Sequence, residues 1–425
     1  MQRFIPLLCV LLCVVSGTSF GQLDTIRITF VEAERQFTNG NLQMLAARFN
    51  IDAARAAIAD ARLWTNPNIA VEQNIYNQST QRWFDVTSSG NTGVQIQQLF
   101  LLAGKRGKQE HIAEVNTALA EDSFNDLLRT LKLELRTDFY TIYFLHQSVE
   151  FYDESISSIE KTVSMMEGLY AQRSVLLSDV LRLKSLLFSL QNERLGLVQR
   201  IADSETSLRI LLCDTSLAVK TYLPVIDLNR LEAFSPDSLS PNEVMAAALE
   251  HRPDLRKASG TVMLEEANLA YQKSLVIPDL TVGGLWSRAG SYIPNYFALT
   301  LSIDLPIFNR NQGRIELSER TLDANRLISD NYRITVSQEA VTALHRASEL
   351  DHLYRASNSS FLHDYHTLLN DMIANYQKRN MSVIAFADFI ESYRTSMVQM
   401  NQLANDRASA FEALSYVVGT DIFIP

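Results

Sequence analysis

The side chains here that could do chemistry are carboxylates, tyrosines and arginines near two breaks in long apolar-patterned segments. Asp179, Asp371 and Asp388 lie there, with Tyr170, Arg173 and Ser174 at one break and Tyr376, Arg379 and Asn380 at the other. A carboxylate repeated by copies around a narrow axis forms a ring that favours cations. The same residue at a helix start is also stabilised simply by the helix dipole. The tyrosines and arginines could bond helices together or dock a partner. Catalysis has no comparable support. The histidines are His111, His146, His251, His345, His352, His363 and His366, and they are scattered. His363 and His366 flank Asp364 on what reads as a solvated helix face. There is no CxxC, HExxH or phosphate-binding glycine loop. The chain reads as no enzyme, with no cofactor and no resident metal.

The elements that place these residues are written twice. Gly107-Lys108-Gln109-Glu110 returns as Gly313-Arg314-Ile315-Glu316, 206 residues later. The same offset relates Tyr170 and Arg173 to Tyr376 and Arg379, and Leu99 to Leu305. This is a duplicated half-protein, far longer than a solenoid unit. From Arg314 to Val418, 105 residues contain neither Gly nor Pro. The apolar series from Phe124 through Leu135, Ile142 and Ile156 to Met166 takes twelve steps over 42 residues, a mean spacing of 3.5. That period predicts a left-handed coiled coil. A helix over 107–170 would be about 96 Å long at 1.5 Å per residue, too long for a globular domain.

The segments after Pro67 and Pro278 have period two. Phe297, Leu299, Leu301, Ile303 and Leu305 alternate with Ala298, Thr300, Ser302 and Asp304. Leu280, Val282 and Trp286 share a face, as do Ile69, Val71 and Ile75, and Val94, Ile96 and Phe100 with Gln98. These read as strands long enough to cross a bilayer. The expected hairpins pair 68–76 with 93–100 and 279–287 with 296–305. The linkers 77–92 and 288–295 are rich in Ser, Asn and Gly, as exposed tips are. From Pro67 to Gly107 is 40 residues and from Pro278 to Gly313 is 35, so the first hairpin region is about five residues longer. Four strands cannot close a barrel, and an open sheet edge cannot sit in lipid. The chain must pool strands with at least one further copy to reach eight.

The first 21 residues read as a secretory leader: Arg3, an apolar run over 5–15, then small Ser19 and Gly21. Removing Arg3 leaves 37 basic against 48 acidic residues, a net charge of −11. No basic face for nucleic acid is expected. Cys213 remains as one thiol near a helix end and cannot form an internal disulfide.

With those features in place, the chain resembles the TolC family of outer-membrane efflux ducts over its whole mature length. Residues 98–107, QLFLLAGKRG, and 305–313, LPIFNRNQG, are similar to the strand-to-helix turns of the heavy-metal branch, that of the cobalt–zinc–cadmium and copper–silver systems. The resemblance implies a mainly α chain with a membrane β-barrel. Four strands per protomer would enter a shared trimeric 12-stranded barrel above a long coiled-coil α-helical periplasmic tunnel. The implied plan is a signal peptide 1–21, a first repeat 22–212, an equatorial linker 213–240 and a second repeat 241–425. The hairpins fall at about 68–100 and 279–305, and the long helices at about 107–170, 175–212, 313–376 and 382–417. Gly107 and Gly313 are expected to permit the tight turns. Where the family carries a tip glycine, Arg173 and Arg379 stand. Asn380 is expected to take up the left-handed conformation, and Ser382 to cap the return helix. Asp388 matches a family aspartate at the constriction, with Asp179 and Asp371 as further pore candidates. Implied partners are two further copies, outer-membrane lipid, a periplasmic adaptor (a membrane fusion protein) and an inner-membrane RND transporter. Implied cargo is heavy-metal cations, with organic compounds or polypeptide as the alternative. A periplasmic coiled-coil scaffold without a barrel is the competing class.

Overall fold

The computed structural model describes residues 24–216, 220–289, 292–358, 368, 371–378 and 380–423. The leader 1–21, His363, His366 and Arg379 lie outside the described residues.

The first repeat opens with β1 (Asp24–Thr29) and α1 (Phe30–Gly40). A capping box starts α1: the Glu32 N–H donates to Thr29 Oγ1 and the Thr29 N–H donates to Glu32 Oε2. Asn41 kinks the chain into α2 (Leu42–Ala61). The strands follow: β2 (Asn68–Gln73), the short β3 (Tyr76–Asn77) and β4 (Arg82–Trp83), and β5 (Asn91–Phe100). Two long helices complete the repeat, α3 (Lys105–Ala171) and α4 (Leu177–Leu212). The second repeat runs through α6 (Pro241–His251), α7 (Pro253–Ser274), β7 (Leu280–Ala289), β8 (Ile293–Ile303) and α8 (Gln312–Asn358). Residues 371–377 are helical, and α9 (Val383–Val418) ends the repeat.

The stretch 213–240, expected as a linker, carries structure of its own. It holds β6 (Lys220–Val225), α5 (Leu228–Ala233) and a 3-10 turn, Pro236–Ser238. β6 pairs in parallel with β1, Asp24 opposite Lys220 through Thr29 opposite Val225. β1 alternates Ile26 and Ile28 with exposed Thr25, Arg27 and Thr29, but only over six residues, and β6, with Pro224 in it, has no such sequence pattern. Tyr222 and Ile28 enter one core cluster with Phe37, Phe139 and Leu208.

The coiled-coil seam of α3 is real along its whole length. Ten of its thirteen positions are buried, and Phe124, Leu128 and Val149 pack partly buried against the clusters. α3 packs along α4, α2, α7 and α9. No described helix is long and apolar enough to cross a membrane.

The duplication is visible in backbone detail. Pro67 and Pro278 are 211 residues apart, so elements before the strands match at 211 and those after at 206. Asn41 and Arg252, 211 apart, kink their helix pairs with nearly the same dihedrals, −66°/119° and −68°/121°. Cys213 and Gly419, 206 apart, both end a helix in the left-handed conformation, at φ 51° and 83°. Cys213 N–H donates to the carbonyls of Arg209 and Ile210, and Gly419 N–H to those of Ser415 and Tyr416, the equivalent pair. Each helix end abuts the kink of its own repeat. A Cβ on Gly40 would lie 3.8 Å from Leu212 O, whereas one on Gly419 would lie 3.0 Å from the backbone of His251. The glycine has therefore swapped sides: Gly40 with Cys213 in one repeat, His251 with Gly419 in the other.

The belt where the repeats meet carries buried ion pairs. Arg136 donates to Glu412 at 2.7 Å and to Asp421 at 2.9 Å, joining α3, α9 and the C-terminal turn. Arg407 donates to Asp351 at 2.6 Å and to Leu231 O at 2.8 Å. Asp138, on α3, is different. Burial pushes its carboxyl up to about 6, against a hydrogen bond from Ser207 and with nearby Glu134 adding to the rise. Its Oδ2 has no partner among the described residues.

Two predictions follow from these positions. Gly419→Ala should destabilise by about 2 kcal/mol or more, since a left-handed φ and a backbone contact both oppose a Cβ. Cys213→Gly, at the equivalent position, should be neutral or stabilise by up to about 1 kcal/mol. Thermal melts of the two variants test the swap, and equal losses would contradict it. For Asp138, the folded-state value lies above the unfolded one, so stability falls as pH rises from about 4 through about 6. Asp138→Asn should remove that slope and raise the melting temperature at pH 7 and above, while changing little at pH 4.

Candidate functional site

Two regions can act on a solute or a partner: the sheet, and the far ends of the long helices. In the sheet the strand order is β2-β5-β7-β8, all antiparallel. The register aligns the apolar residues in rows. Ile69, Ile96, Gly284 and Leu299 form one row, and Val71, Val94, Trp286 and Phe297 the next. Phe100, Leu280 and Ile303 form the lowest. Side chains alternate along a strand, so all these rows share one face. The other face carries Glu72, Gln95, Gln97, Thr281, Ser287, Thr300 and Ser302. Gly283 stands on that face because a Cβ there would meet Ile96 O at 2.7 Å. Outer edges of β2 and β8 have no partner strand among the described residues.

The second hairpin is longer than the sequence pattern implied. β7 and β8 extend through most of 288–295, ending at Ala289 and starting at Ile293. The first has a folded tip, described below. Aromatic side chains gather near the lower rim, where Trp64 meets Phe100 at 6.1 Å and Arg106 lies 4.2 Å over the Trp64 ring.

The strand-to-helix turns correct one expectation. Gly107 and Gly313 lie inside the first turns of α3 and α8, without positive φ, and a Cβ on either meets nothing within 4 Å. The left-handed residues are Ala103 and Gly104 in the first turn and Asn311 in the second. The first turn is locked by Lys105, whose buried Nζ donates to Ile277 O and to Asp279 Oδ1, each at 2.7 Å. Asp279 also accepts the Leu102 N–H at 2.9 Å, tying the exit of β5 to the entrance of β7. Asn311 takes the equivalent place in the second repeat and donates to Gln272 O at 2.8 Å. The equivalent positions thus make different bonds, Lys105 to the entrance of β7 and Asn311 to the end of α7.

At the helix tips, α3 ends at Ala171 and Arg173 takes the left-handed conformation, φ 59°. Ser174 N–H donates to Leu169 O at 2.9 Å, and in the second repeat Asn380 N–H donates to Asn375 O at 3.0 Å. These are equivalent bonds, closing each helix with a six-to-one link. Arg173 therefore occupies the position a glycine would favour, and Asn380 stands at the equivalent of Ser174, one residue beyond it. Ser382 caps α9 by accepting the Ala385 N–H at 3.2 Å. Its counterpart Leu176 makes no side-chain cap, and Asp179 supplies the negative charge in that first turn.

The two tips are not alike in packing. Tyr376 is 5% exposed and stacks on Phe386, with centroids 4.4 Å apart and planes 11° apart. Tyr170, its equivalent, is 44% exposed. Around the stack lie Val163, Met166, Val180 and Leu183 from α3 and α4, with Val383 from α9. Burial pushes the Tyr376 phenol up, and the charge of Asp179 beside it adds to the shift. The Tyr376 hydroxyl has no hydrogen-bond partner among the described residues. Thus the structure brings Asp179 and Tyr376 together. It leaves Tyr170, Arg173, Ser174, Asn380, Asp371 and Asp388 exposed. Asp388 lies between the buried Phe386 and Ile390 on the opposite side of α9, turned away from the protomer's own core. No group of three or more His, Cys, Asp or Glu able to hold a metal occurs among the described residues. Phe386 was missed in the sequence; its spacing from Val383 and Ile390 was the available signal.

Residues 35–213 match the family of outer membrane efflux proteins. Over this span, less than half of the chain, the sequence is similar to that family. The matched span covers most of the first repeat, and the second repeats it at offsets of 211 before the strands and 206 after them. The chain is 22% identical over 311 residues to the cobalt-zinc-cadmium resistance protein CzcC of Cupriavidus metallidurans (strain ATCC 43123 / DSM 2839 / NBRC 102507 / CH34), covering 72% of this chain and 70% of the relative. Its fold matches the Campylobacter jejuni CmeC outer membrane channel with a TM-score of 0.76 at 13% identity, over 92% of this chain and 86% of that one. CusC, solved in connection with its folding and transmembrane channel formation, matches with a TM-score of 0.71 at 16% identity, over 91% of each chain. The tip is asymmetric in a testable way. Tyr376→Ala should cost about 3–5 kcal/mol and loosen the tip to proteolysis. Tyr376→Phe, which keeps the stack and removes an unpaired buried hydroxyl, should be neutral or mildly stabilising. Tyr170→Ala should stay within about 0.5 kcal/mol of wild type. Matching losses at 170 and 376, by melting and limited proteolysis, would remove the asymmetry.

Proposed function

We propose that the chain, after loss of its leader 1–21, is one third of a homotrimeric outer-membrane exit duct. The observation that carries this is the sheet: one apolar face, one polar face and two unpaired edges, set beyond helices of up to 67 residues. Edges of this kind are tolerated in lipid only when they pair with other strands. Three copies would give twelve strands, the number the family resemblance implies, with the polar face lining a water-filled lumen. α3, about 100 Å long at 1.5 Å per residue, would carry that lumen across the periplasm.

In this reading the duct performs no chemistry of its own. A periplasmic adaptor would open its tips, and an inner-membrane RND transporter would drive the cargo. Heavy-metal cations are the favoured cargo because of the similarity to CzcC and the exposed carboxylates at the tip. Asp388 is the leading constriction residue, since it faces away from its own protomer's core and is free to meet its copies. Asp179 is half-buried, near the Tyr376 ring and without a hydrogen bond to its hydroxyl, and is the second constriction candidate.

The purified protein in planar bilayers should conduct weakly alone and strongly with its adaptor. Asp388→Asn should lower the cation preference of the open channel and weaken block by divalent cations. Unchanged selectivity and block would take Asp388 out of the constriction. Loss of the gene should sensitise cells to cobalt, zinc or cadmium; sensitivity to organic compounds alone would move the cargo to the alternative. Recovery wholly in the soluble periplasm would sink the duct itself.

A further inference from the structure

The loop between β2 and β5 is the feature that duct function leaves unexplained. It is not a slack tip. Asp85 is 3% exposed and sits at its centre. Its carboxylate accepts from Thr87 Oγ1 at 2.6 Å, Thr80 Oγ1 at 2.7 Å, Asn77 Nδ2 at 2.8 Å and the Thr87 N–H at 3.0 Å. Gly90 closes the loop against it, where a Cβ would fall 1.6 Å from Asp85 O. The loop is therefore folded around one carboxylate, whereas the strands of the second hairpin, ending at Ala289 and starting at Ile293, leave no room for such a loop.

Its direction follows from the register. Gln73, Thr92 and Arg288 form the row above Val71, Val94 and Trp286, so they belong to the apolar face. Those side chains hold the loop. Gln73 Nε2 donates to Asp85 O at 3.0 Å and Arg288 Nη2 to Val86 O at 2.8 Å, while Thr92 Oγ1 donates to Gln73 Oε1 at 2.7 Å. The loop is thus fastened to the outer face of the sheet, not folded over the polar face. It displays Trp83, Phe84 and Val86, all more than 60% exposed, with Tyr76 packed on Trp83 at 5.2 Å.

That patch continues an apolar band that is too short. On β5 the band runs from Val94 to Phe100, about 20 Å along the strand and less once tilted, against the ~25 Å a membrane barrel presents. We propose that this loop is a preformed membrane anchor, with Trp83, Phe84 and Val86 seated at the headgroup–acyl boundary of the outer leaflet. The proposal rests on the sheet being a barrel wall. Burying one aromatic cluster per protomer at the upper rim would fix the depth of the duct and shield the seam beside edge strand β2.

The chain has three tryptophans, Trp64, Trp83 and Trp286. Two full-length variants separate the questions: one keeping Trp83 (W64F/W286F) and one keeping Trp286 (W64F/W83F). Both are reconstituted in phosphatidylcholine vesicles with bromines placed shallow or deep on the acyl chains. Trp286 reports the wall and should be quenched by bromolipid; failure there removes the barrel reading and the anchor with it. With Trp286 quenched, Trp83 should lose a comparable share of its emission to shallow bromines and resist aqueous iodide. Quenching of Trp83 by iodide alone would mean a loop in water and overturn the anchor. Quenching by neither would mean that a second copy covers it, and would also overturn the anchor. Asp85→Ala in the Trp83 variant should expose Trp83 to iodide; an unchanged profile would deny Asp85 its role as the pin.

Discussion

Unpaired backbone at the two edges of the sheet constrains everything else in this molecule. β2 and β8 have six and eleven residues. Half of their N–H and C=O groups point away from the sheet, and each would cost several kcal/mol if left bare in hydrocarbon. The total is roughly tens of kcal/mol, larger than the ~5–15 kcal/mol by which a protein is usually stable. No rearrangement within one chain removes it, because four strands cannot close on themselves. The same sheet left in water would expose its rows of Ile, Val, Leu and Phe. A barrel shared with copies answers both problems at once, and the long helices must then be spaced to match.

Duplication makes that matching simple. A constant offset of 206 from the sheet exit to the tips gives both repeats descending helices of the same span, so their ends meet at one level. The offset changes to 211 on the other side of the strands, and the difference is absorbed in the Asp85 loop. The kinks at Asn41 and Arg252 share their dihedrals, and the helix ends at Cys213 and Gly419 share their carbonyl acceptors. Identity of side chain was not needed to keep that geometry. The glycine sits at the kink in one repeat and at the helix end in the other, and the contact is tight only at Gly419, where a Cβ would come within 3.0 Å of the His251 backbone.

How much of this was legible in the sequence depended on periodicity. The seam from Phe124 to Met166 and the alternation of 297–305 are long, regular signals, and both faces fell where the pattern put them. β1 and β6 were missed: the alternation of Ile26 and Ile28 in β1 is too short to stand out, and Pro224 obscures β6. The sealing of the sheet exit was missed too, where Lys105 and Asn311 make different bonds from equivalent positions. The glycines at 107 and 313 misled because repetition drew attention to them, whereas positive φ belongs to Ala103, Gly104 and Asn311. At the tips the residues were found but not their environment. Tyr170 and Tyr376 are the same residue at the same offset, and no local pattern told which would be buried. That was decided by Phe386, whose ring provides the stacking surface.

This asymmetry bears on how a tip could open without unfolding. Within a protomer the tip is held by apolar packing: Tyr376 on Phe386, with Val163, Val180 and Leu183 around them. Such packing is short-ranged and all-or-none, so it moves as a body. The groups turned outward, Asp388, Asp371, Arg173 and Asn380, are polar and exposed, and contacts between such groups are worth little individually in water. A stiff unit bounded by weak polar contacts has its natural line of parting at that boundary. Opening would therefore separate helix pairs along their polar surfaces and leave the Tyr376 stack intact. A partner that offered its own polar groups to those surfaces would compete with the closed contacts at small cost, which is what a gate opened by docking requires.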